Sequence, residues 1–405
     1  MAHGRGERPM RTALVSDVIS HFQPSRRFAP RGPERPFHVT SLDFDDTGEY
    51  CLVSRSDETI QIYNCKDGKH SKELKSQKYG VDLARFTHHS HSIIYASTKI
   101  DDTIRYLSAH DNSYIRYFRG HTAPVTSLCL SPSSDNFVST GLDNVVRQWD
   151  LRSSHPATTL NLTAPYLAAY DPGAIVLAIA CPLASLILLY DARQLEAQPF
   201  ATFDLSTTEA TFAGGRAGAT RGHQQGDWTK LEFSNDSKKL LVATAGPGHY
   251  VLDAYDGPLI AYLPKTNGGT NRVSAAARAR SVAATTASAG QRNGNGNGAA
   301  VTGTGDAGFS PDGRFVVGGS GEAGMLVWDL DEVGGAGDGD VKMEDAGGSG
   351  KGRLFDAREK VLLPSHTLAE ERKDAGMCSL VAYNPRHNLI ATADRRTVLW
   401  VPDLD

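Results

Sequence analysis

Three residues of the types found in a nucleophilic catalytic triad lie close together in the sequence: His121, Ser139 and Asp143. In an acyl-transfer enzyme the histidine activates the serine, the acid orients the histidine, and all three border an exposed cleft. Trp149 follows Asp143 by six residues. Four other acidic residues also stand six residues before a bulky residue: Asp57, Asp101, Glu322 and Asp394. A catalytic acid is not expected five times in one chain. We therefore interpret His121, Ser139, Asp143 and Trp149 as a hydrogen-bonded tetrad that stabilises a repeated unit.

A histidine group is the strongest candidate for a metal site. His88, His89 and His91 follow Phe86, and imidazole is a good ligand for zinc or copper. Neighbouring histidines in a turn between strands point apart, and no cysteine or carboxylate lies near them at a typical ligand spacing. We expect no metal. The glycine-rich stretches near Gly268 and Gly334 lack phosphate-binding motifs, so we expect no cofactor.

The elements that carry these residues recur seven times. Each copy has an apolar strand that ends in a bulky residue, a polar turn, a second apolar strand, another turn and a third strand that ends in a second bulky residue. The first bulky residues are Phe44, Phe86, Leu130, Tyr170, Phe233, Phe309 and Tyr383, and the second are Tyr63, Leu107, Trp149, Tyr190, Leu252, Trp328 and Trp400. Four-stranded units with a period of about 40–45 residues are typical of propeller blades. The sequence therefore predicts an all-β, seven-bladed β-propeller.

Three insertions lengthen the spacing between or within the later copies. They are residues 206–226, a basic low-complexity stretch at 265–305 and an acidic glycine-rich stretch at 331–353. None of them can bury enough apolar surface to offset the entropy lost on ordering, so we expect disordered loops within a single propeller domain at 1–405. Lys342, in the sequence VKME of the acidic insertion, fits the short acceptor pattern for SUMO and is a candidate modification site.

The two ends of the chain provide a way to close the ring. The last copy stops at Trp400–Asp405, which leaves no room for a fourth strand, whereas an unassigned apolar segment, Ala13–Phe22, opens the chain. We predict that this N-terminal segment completes blade seven, because a closed ring removes exposed sheet edges. We place the outer strand of blade six at Glu359–Leu363.

Composition argues against several classes of protein. The formal net charge is −4 and no long basic run occurs in the regular part, so we expect no direct binding of nucleic acid. The five cysteines are scattered, with no CxxC pair, which favours a reducing compartment. The stretch Ala174–Tyr190 is too short to span a bilayer and indicates two buried strands, so we expect no membrane contact. Met1–Met10 lacks the apolar core of a secretory signal.

Several stretches resemble one family closely. The densest is KYGVDLARF through GHTAPVTSLCLSP at residues 78–132, and others are FQPSRRF at 22–28, LDNVVRQWDLRS at 142–153, AAYDPGAIVLAIA at 168–180 and DWTKLEFSNDSKKLL at 227–241. They resemble the WD-repeat subunit of COMPASS-type histone H3 lysine-4 methyltransferase complexes. In that family the subunit is shared with a cleavage, polyadenylation and transcription-termination complex that contains a protein phosphatase. The resemblance is strong over residues 14–264 and weaker afterwards.

The resemblance implies a nuclear, non-catalytic scaffold subunit. Its partners would be a SET-domain methyltransferase, other COMPASS-type subunits and termination-phosphatase components, and methyl transfer would belong to another subunit. The repeat pattern alone leaves other functions open, such as a ubiquitin-ligase substrate receptor, a propeller enzyme, or an RNA-binding propeller that uses the basic stretch Lys265–Ala300. The dense block at 78–132 argues against the first of these.

Partner contacts are expected on one rim of the propeller. Loops before the first strand and before the third strand of each blade border this rim, and in the first blades they contain Lys78, Tyr79, Lys99, Asp102, Thr122, Leu142 and Asn144. Aromatic residues are frequent interface anchors, so we predict contacts at Tyr79 and at Trp228, which begins blade five. Trp228 has an alternative interpretation, as a residue packed between blades. Asp101 is left out because its position in the repeat is structural.

Overall fold

The computed structural model describes residues 14–28, 37–213, 228–265, 306–320, 324–334, 360–369 and 378–403. Within these ranges, 28 strands form seven antiparallel sheets of four strands each. The innermost strands of successive sheets contact one another around a ring, and the last sheet contacts the first. The protein is therefore a seven-bladed β-propeller, which confirms the predicted fold class.

The first four blades follow one another along the chain, each running from its innermost to its outermost strand. Blade one contains β2 (Val39–Phe44), β3 (Tyr50–Arg55), β4 (Thr59–Asn64) and β5 (Lys69–Lys75); blade two contains β6 (Asp82–Phe86), β7 (Ser92–Ala96), β8 (Ile104–Ser108) and β9 (Ser113–Phe118). Blade three contains β10 (Val125–Leu130), β11 (Asn136–Gly141), β12 (Val145–Asp150) and β13 (Pro156–Asn161); blade four contains β14 (Leu167–Tyr170), β15 (Val176–Cys181), β16 (Leu186–Asp191) and β17 (Ala201–Asp204).

Blades five and six continue the same order along the chain, and blade seven takes its outermost strand from the N-terminus. Blade five contains β18 (Trp228–Phe233), β19 (Lys239–Thr244), β20 (Gly248–Asp253) and β21 (Leu259–Pro264); blade six contains β22 (Ala307–Phe309), β23 (Phe315–Gly319), β24 (Gly324–Asp329) and β25 (His366–Ala369); blade seven contains β26 (Leu380–Tyr383), β27 (Ile390–Ala393), β28 (Thr397–Pro402) and β1 (Phe22–Phe28). The helical elements among the described residues are α1 (Val15–Val18), α2 (Ser206–Ala213) and 3₁₀ turns at Ile19–His21, Pro182–Ala184 and Leu330–Gly334.

Ring closure uses the N-terminus, as expected, but not the predicted residues. The strand that pairs with β28 is Phe22–Phe28, whereas the residues before it form α1 and a 3₁₀ turn at Ile19–His21. Val18 and Ile19 bury their side chains in the cluster shared by blades six and seven, so the apolar character of this segment serves packing and not strand formation.

The outer strand of blade six was also placed wrongly. The structure has it at His366–Ala369, and Lys360–Leu363 lies instead along the edge of blade five. There, Val361 forms a parallel bridge with Tyr262, Leu362 donates its amide to the Tyr262 carbonyl at 2.9 Å, and the Leu362 side chain is buried. The apolar residues of this segment therefore cover the edge of the neighbouring blade.

Parts of the predicted disordered insertions are ordered. Residues 206–213 form α2, whose Phe212 ring stacks on Tyr262 with ring centroids 4.1 Å apart. Lys265 is buried and its Nζ donates to the Thr244 carbonyl at 2.6 Å, and residues 331–334 belong to a 3₁₀ turn. Aromatic packing and charge-assisted hydrogen bonds offset the ordering entropy at these positions. The rest of the three insertions, with Lys342, lies outside the described residues.

The core consists of layers between adjacent blades. The fully buried indoles of Trp149, Trp228, Trp328 and Trp400 lie in separate layers. Ala174–Tyr190 contributes β15 and most of β16, as expected for two buried strands. No helix among the described residues has the length and apolar character needed to cross a membrane.

Candidate protein-docking surface

The tetrad residues meet in blade three. His121 precedes β10, Ser139 lies on β11, Asp143 lies in the turn after β11 and Trp149 lies on β12. The His121 ring is 3.0 Å from Asp143 through Nδ1 and 2.7 Å from the Ser139 hydroxyl through Nε2, and the indole N–H of Trp149 donates to the same hydroxyl at 2.8 Å. Because Ser139 has no exposed surface, its hydroxyl ties strands together and is not presented to a substrate.

An arginine that the sequence pattern did not reveal completes this network. Arg147 donates to Asp143 Oδ2 at 2.9 Å, and the amide of Thr122 donates to the same atom at 3.2 Å. Burial opposes ionisation of the Asp143 carboxyl, but the hydrogen bond and charge of His121, together with the bond from Arg147, lower its pKa to about 2. Asp143 is thus a buried, ionised carboxylate that is stabilised by His121, Arg147 and the amide of Thr122.

The other repeated acids make comparable local contacts. Asp57 pairs with Arg55 and accepts a hydrogen bond from the Thr59 hydroxyl at 2.7 Å. Asp101 pairs with Arg105 at 3.0 Å, and Asp394 accepts from the Ser379 hydroxyl at 2.9 Å. Glu322 lies outside the described residues.

The residues expected at a partner surface, apart from Trp228, lie on one rim, which we call the upper rim: residues 55–59, 76–81, 97–103, 119–124 and 141–145. The amides of Thr98 and Lys99 both donate to the Tyr79 carbonyl at 3.0 Å, and the amide of Leu142 donates to the Pro124 carbonyl at 3.0 Å. These bonds hold the two kinds of loop, before the first and before the third strand, against each other on the same face.

Tyr79 is a rigid, half-buried part of this rim. The Arg105 guanidinium lies 3.5 Å from its ring centroid, and the ring of Tyr114 packs edge-on at 5.8 Å. The exposed Lys78 lies over the ring at 5.0 Å. A ring fixed in this way loses little conformational entropy when a partner binds, which suits an interface anchor.

The upper rim also has an exposed apolar residue that was not among the predicted contacts. Ile100 is 66% exposed, although it stands in a turn of otherwise polar residues, and that contrast could have singled it out. Beside it, Lys99 forms an ion pair with Glu58 at 2.5 Å and donates to the Gln77 carbonyl at 3.1 Å. These contacts join blades one and two below the exposed isoleucine.

The other predicted rim residues have mixed environments. Thr122 and Asn144 are exposed, whereas Asp102 and Leu142 are half-buried. Burial raises the pKa of Asp102, although the nearby His121 lowers it. Leu142 packs against the cluster between blades four and five.

Comparison with known proteins identifies the family. The model of the WD domain, G-beta repeat, matches residues 31–64 and 112–150, in blades one to three. WD repeat-containing protein 82 of Drosophila melanogaster is 32% identical over 97% of this chain and 98% of its own length. COMPASS component SWD2 of Saccharomyces cerevisiae is 30% identical over 95% of both chains. This chain belongs to the family of WD-repeat proteins that contains these two relatives. Set1 complex component swd2 of Schizosaccharomyces pombe is 40% identical over 62% of this chain and 66% of its own length.

Trp228 does not lie on the surface of this WD-repeat protein. Its side chain is 1% exposed and packs in the cluster between blades four and five. The indole N–H donates to Glu209 Oε1 at 2.6 Å, and Glu209 also accepts from the hydroxyl of Ser185. Trp228 therefore fixes α2 to two blades, which agrees with its alternative interpretation as a residue packed between blades and not with an exposed partner contact.

The ring of His88, the first of the three histidines after Phe86, has structural partners. His88 is 2.7 Å from Asp46 through Nδ1, and through Nε2 it is 2.9 Å from the Ser131 carbonyl. This ring thus links the turns of blades one, two and three. Nowhere in the described parts of the chain do three or more His, Cys, Asp or Glu residues form a group that could hold a metal.

Charged side chains in the central channel link neighbouring blades of this WD-repeat protein. The channel contains a cavity of about 500 Å³. Asp43 accepts from the amide of Phe86 in the next blade at 2.9 Å, and Glu232 accepts from the amide of Phe309 at 3.3 Å. Lys230 lies 2.6 Å from Glu232. Asp43 and Glu232 thus each accept a hydrogen bond from the backbone of the next blade, which is a structural use of charge.

Proposed function

We propose that this protein is a non-catalytic docking subunit of a COMPASS-type histone H3 lysine-4 methyltransferase complex in the nucleus. Two full-length matches support the proposal, and one of these relatives is named as a COMPASS component. Another relative is named as a component of the Set1 complex. In such an assembly a SET-domain subunit performs methyl transfer and this propeller supplies a binding surface.

The upper rim of blades one and two is the surface proposed for the methyltransferase side of the complex. It combines an exposed isoleucine, Ile100, with a half-buried and rigid tyrosine, Tyr79, and exposed lysines, Lys78 and Lys99. Such a mixture of an apolar centre, an aromatic anchor and a polar surround is typical of protein interfaces. The other candidate residues from the sequence, Asp102, Thr122 and Leu142, extend this surface toward blade three.

We further propose that the same protein serves a complex that processes RNA 3′ ends and terminates transcription through a phosphatase. The support is the resemblance at residues 78–132, a block that runs from the upper rim of blade two into β10. One surface used by two complexes would make their binding mutually exclusive. Competition between a methyltransferase subunit and a phosphatase subunit for the purified propeller would test this exclusivity.

Ile100→Ser tests the docking surface without touching a buried residue. Removal of an apolar contact worth about 1.5 kcal/mol weakens binding about tenfold. Affinity purification of the tagged variant from its own cells, followed by mass spectrometry, should therefore recover much less SET-domain methyltransferase than the parent. Ile175→Ser is the matched control, because Ile175 is 52% exposed in the turn between β14 and β15, away from the upper rim.

The parent protein decides the broader proposal in the same experiment. Recovery of COMPASS-type subunits or termination-phosphatase components would support it, whereas recovery of a cullin-type ubiquitin ligase and neither of those would reject it. Equal recovery of the methyltransferase by Ile100→Ser, Ile175→Ser and the parent would reject the upper rim alone.

A further inference from the structure

The outer edge of blades seven, one and two carries a concentration of positive charge. We define this basic edge as residues 22–28, 64–79 and 109–119, which form the outermost strands of the three blades and their adjoining turns. Nine cationic residues stand against three carboxylates there, a formal charge of +6 in a chain whose total is −4. The cations are Arg26, Arg27, Lys66, Lys69, Lys72, Lys75, Lys78, Arg116 and Arg119, and the acids are Asp67, Glu73 and Asp111.

The charge is not a general property of the blade edges. The corresponding described segments of blades three to six are 150–161, 191–204, 253–264 and 360–369, and they contain three cations and six carboxylates, a formal charge of −3. Lysine is common on edge strands because it discourages pairing with another sheet. That purpose would apply to every blade, so it does not explain a charge that differs in sign between the two sides of the ring.

The cations form one continuous band because the three blades are in contact. The Arg26 side chain of blade seven lies against Gly68 in blade one, within 2.8 Å of the place where a β-carbon would stand. Lys72 reaches from blade one to blade two, where its Nζ donates to the carbonyls of Ala109 and His110 at 2.7 and 2.8 Å. Both acceptors are neutral, so the ammonium keeps its full charge.

Tyrosines interrupt the band at its upper end, between the outer strands of blades one and two. Arg119 lies 5.8 Å from the ring centroid of Tyr117, and the Tyr117 and Tyr114 rings are 5.5 Å apart. Both rings are half-buried. Cationic side chains interleaved with aromatic rings are the usual composition of sites for single-stranded nucleic acid, which combine phosphate contacts with base stacking.

The curvature of the edge decides between a single strand and a duplex. The basic edge follows the outer, convex side of the ring across three blades. A DNA duplex has a persistence length of about 150 base pairs, so it would touch a convex rim over a short length only. A single strand can bend along the rim and meet successive cations.

We propose that the basic edge binds the phosphate backbone of an unpaired nucleic-acid strand. Recognition depends on charge and on stacking against the tyrosines, and not on base sequence. The sequence expectation of no nucleic-acid binding rested on the absence of a long basic run. The fold instead assembles the band from segments that are far apart in the chain. This inference is independent of the proposed complex.

A salt titration with a matched pair of variants tests the proposal. The full chain is titrated into a fluorescein-labelled oligouridine at several NaCl concentrations, and binding is followed by fluorescence anisotropy. The test variant carries Lys66→Gln, Lys69→Gln and Lys75→Gln, and the control carries Arg152→Gln, Arg193→Gln and Lys238→Gln. All six residues are exposed and both variants lose the same charge.

For the parent, the logarithm of the association constant should fall linearly with the logarithm of the NaCl concentration. This dependence should be shallower by about 2 in the test variant, because each phosphate contact of a single strand contributes about 0.7 to the slope and three contacts are removed. That corresponds to about 100-fold weaker binding at ~0.1 M salt. If the control variant loses as much affinity for the oligouridine as the test variant, the binding site does not lie on the basic edge. Tighter binding of a duplex, or of a polyglutamate peptide, would overturn the choice of ligand. Melting curves of both variants check that the fold is intact, and the single change Lys69→Glu replaces the triple variant if it does not fold.

Discussion

Replacement of Asp143 by alanine is the sharpest test of the structural interpretation of the tetrad. The Asp143 side chain is 5% exposed and that of His121 is fully buried. The carboxylate accepts hydrogen bonds from Arg147 and from the amide of Thr122, and it pairs with the His121 ring. Alanine removes all of these contacts at once, and it leaves the Arg147 guanidinium without its carboxylate partner and the Thr122 amide without this acceptor.

The size of the effect follows from these contacts. Removal of one partner from a buried ion pair costs about 3–5 kcal/mol, since the remaining charge stays desolvated. With an unfolding entropy of about 2.1 cal/mol/K per residue, this lowers the melting temperature by about 4–6 °C. The low pKa of Asp143 adds a pH dependence. The ordinary value is 3.8 and the folded value about 2, so the stabilisation is complete above pH 3.8 and is lost as the pH falls toward 2.

Thermal melting measured by circular dichroism at several pH values provides the assay, with Asp57→Ala as the control. The Asp57 side chain is 23% exposed, whereas that of Asp143 is 5% exposed, so the control should lose clearly less stability. Equal melting temperatures for Asp143→Ala and the parent would refute the interpretation of Asp143 as a buried structural acid.

Two further predictions concern the contacts between blades. Gly48→Ala should destabilise the ring by about 1–2 kcal/mol or more, because Gly48 has a φ of +72° and a β-carbon there would overlap the buried Asn384. Gly246→Ala, where the nearest atom is 3.4 Å away, is the control, and equal urea midpoints for the two would contradict this. The pKa of His88 is raised, because the hydrogen bond to Asp46 outweighs the effect of burial. Its stabilisation should therefore be complete below pH 6.5 and fade as the pH rises through the higher folded value. His88→Gln should remove that dependence, and identical pH profiles of melting would argue against it.

The seven-blade architecture was predictable because its signal is local and repeated. All seven first bulky residues stand at the C-terminal end of an innermost strand, from Phe44 in blade one to Tyr383 in blade seven. Each is set by the alternation of apolar residues and by the turn that follows, and both are visible within about ten residues of sequence. Their repetition fixed the fold class even though no single copy is diagnostic.

The sequence-based predictions failed where a segment packs against a blade other than its own. Val361 and Leu362 have the composition of a strand, but they pair with the edge of blade five. For Trp228 the sequence left two interpretations open, an exposed partner contact and packing between blades, and the contact with Glu209 of α2 that favours the second is not visible in the repeat pattern. The partner in each case lies in another blade or in an insertion, so only the assembled ring reveals it.

The difference between Ser139 and Ile100 shows what structure adds to residue type. Ser139 belongs to a set of residues that could perform acyl transfer, but its hydroxyl is buried and bonded to His121 and Trp149. Ile100 belongs to a type that normally forms the core, yet 66% of it faces solvent beside the rigid Tyr79. Chemistry requires a reactive group that reaches a substrate, and docking requires an apolar group that reaches a partner. Of these two residues the serine is enclosed and the isoleucine is presented to solvent, and accessibility, which residue type alone does not give, makes Ile100 the candidate for docking.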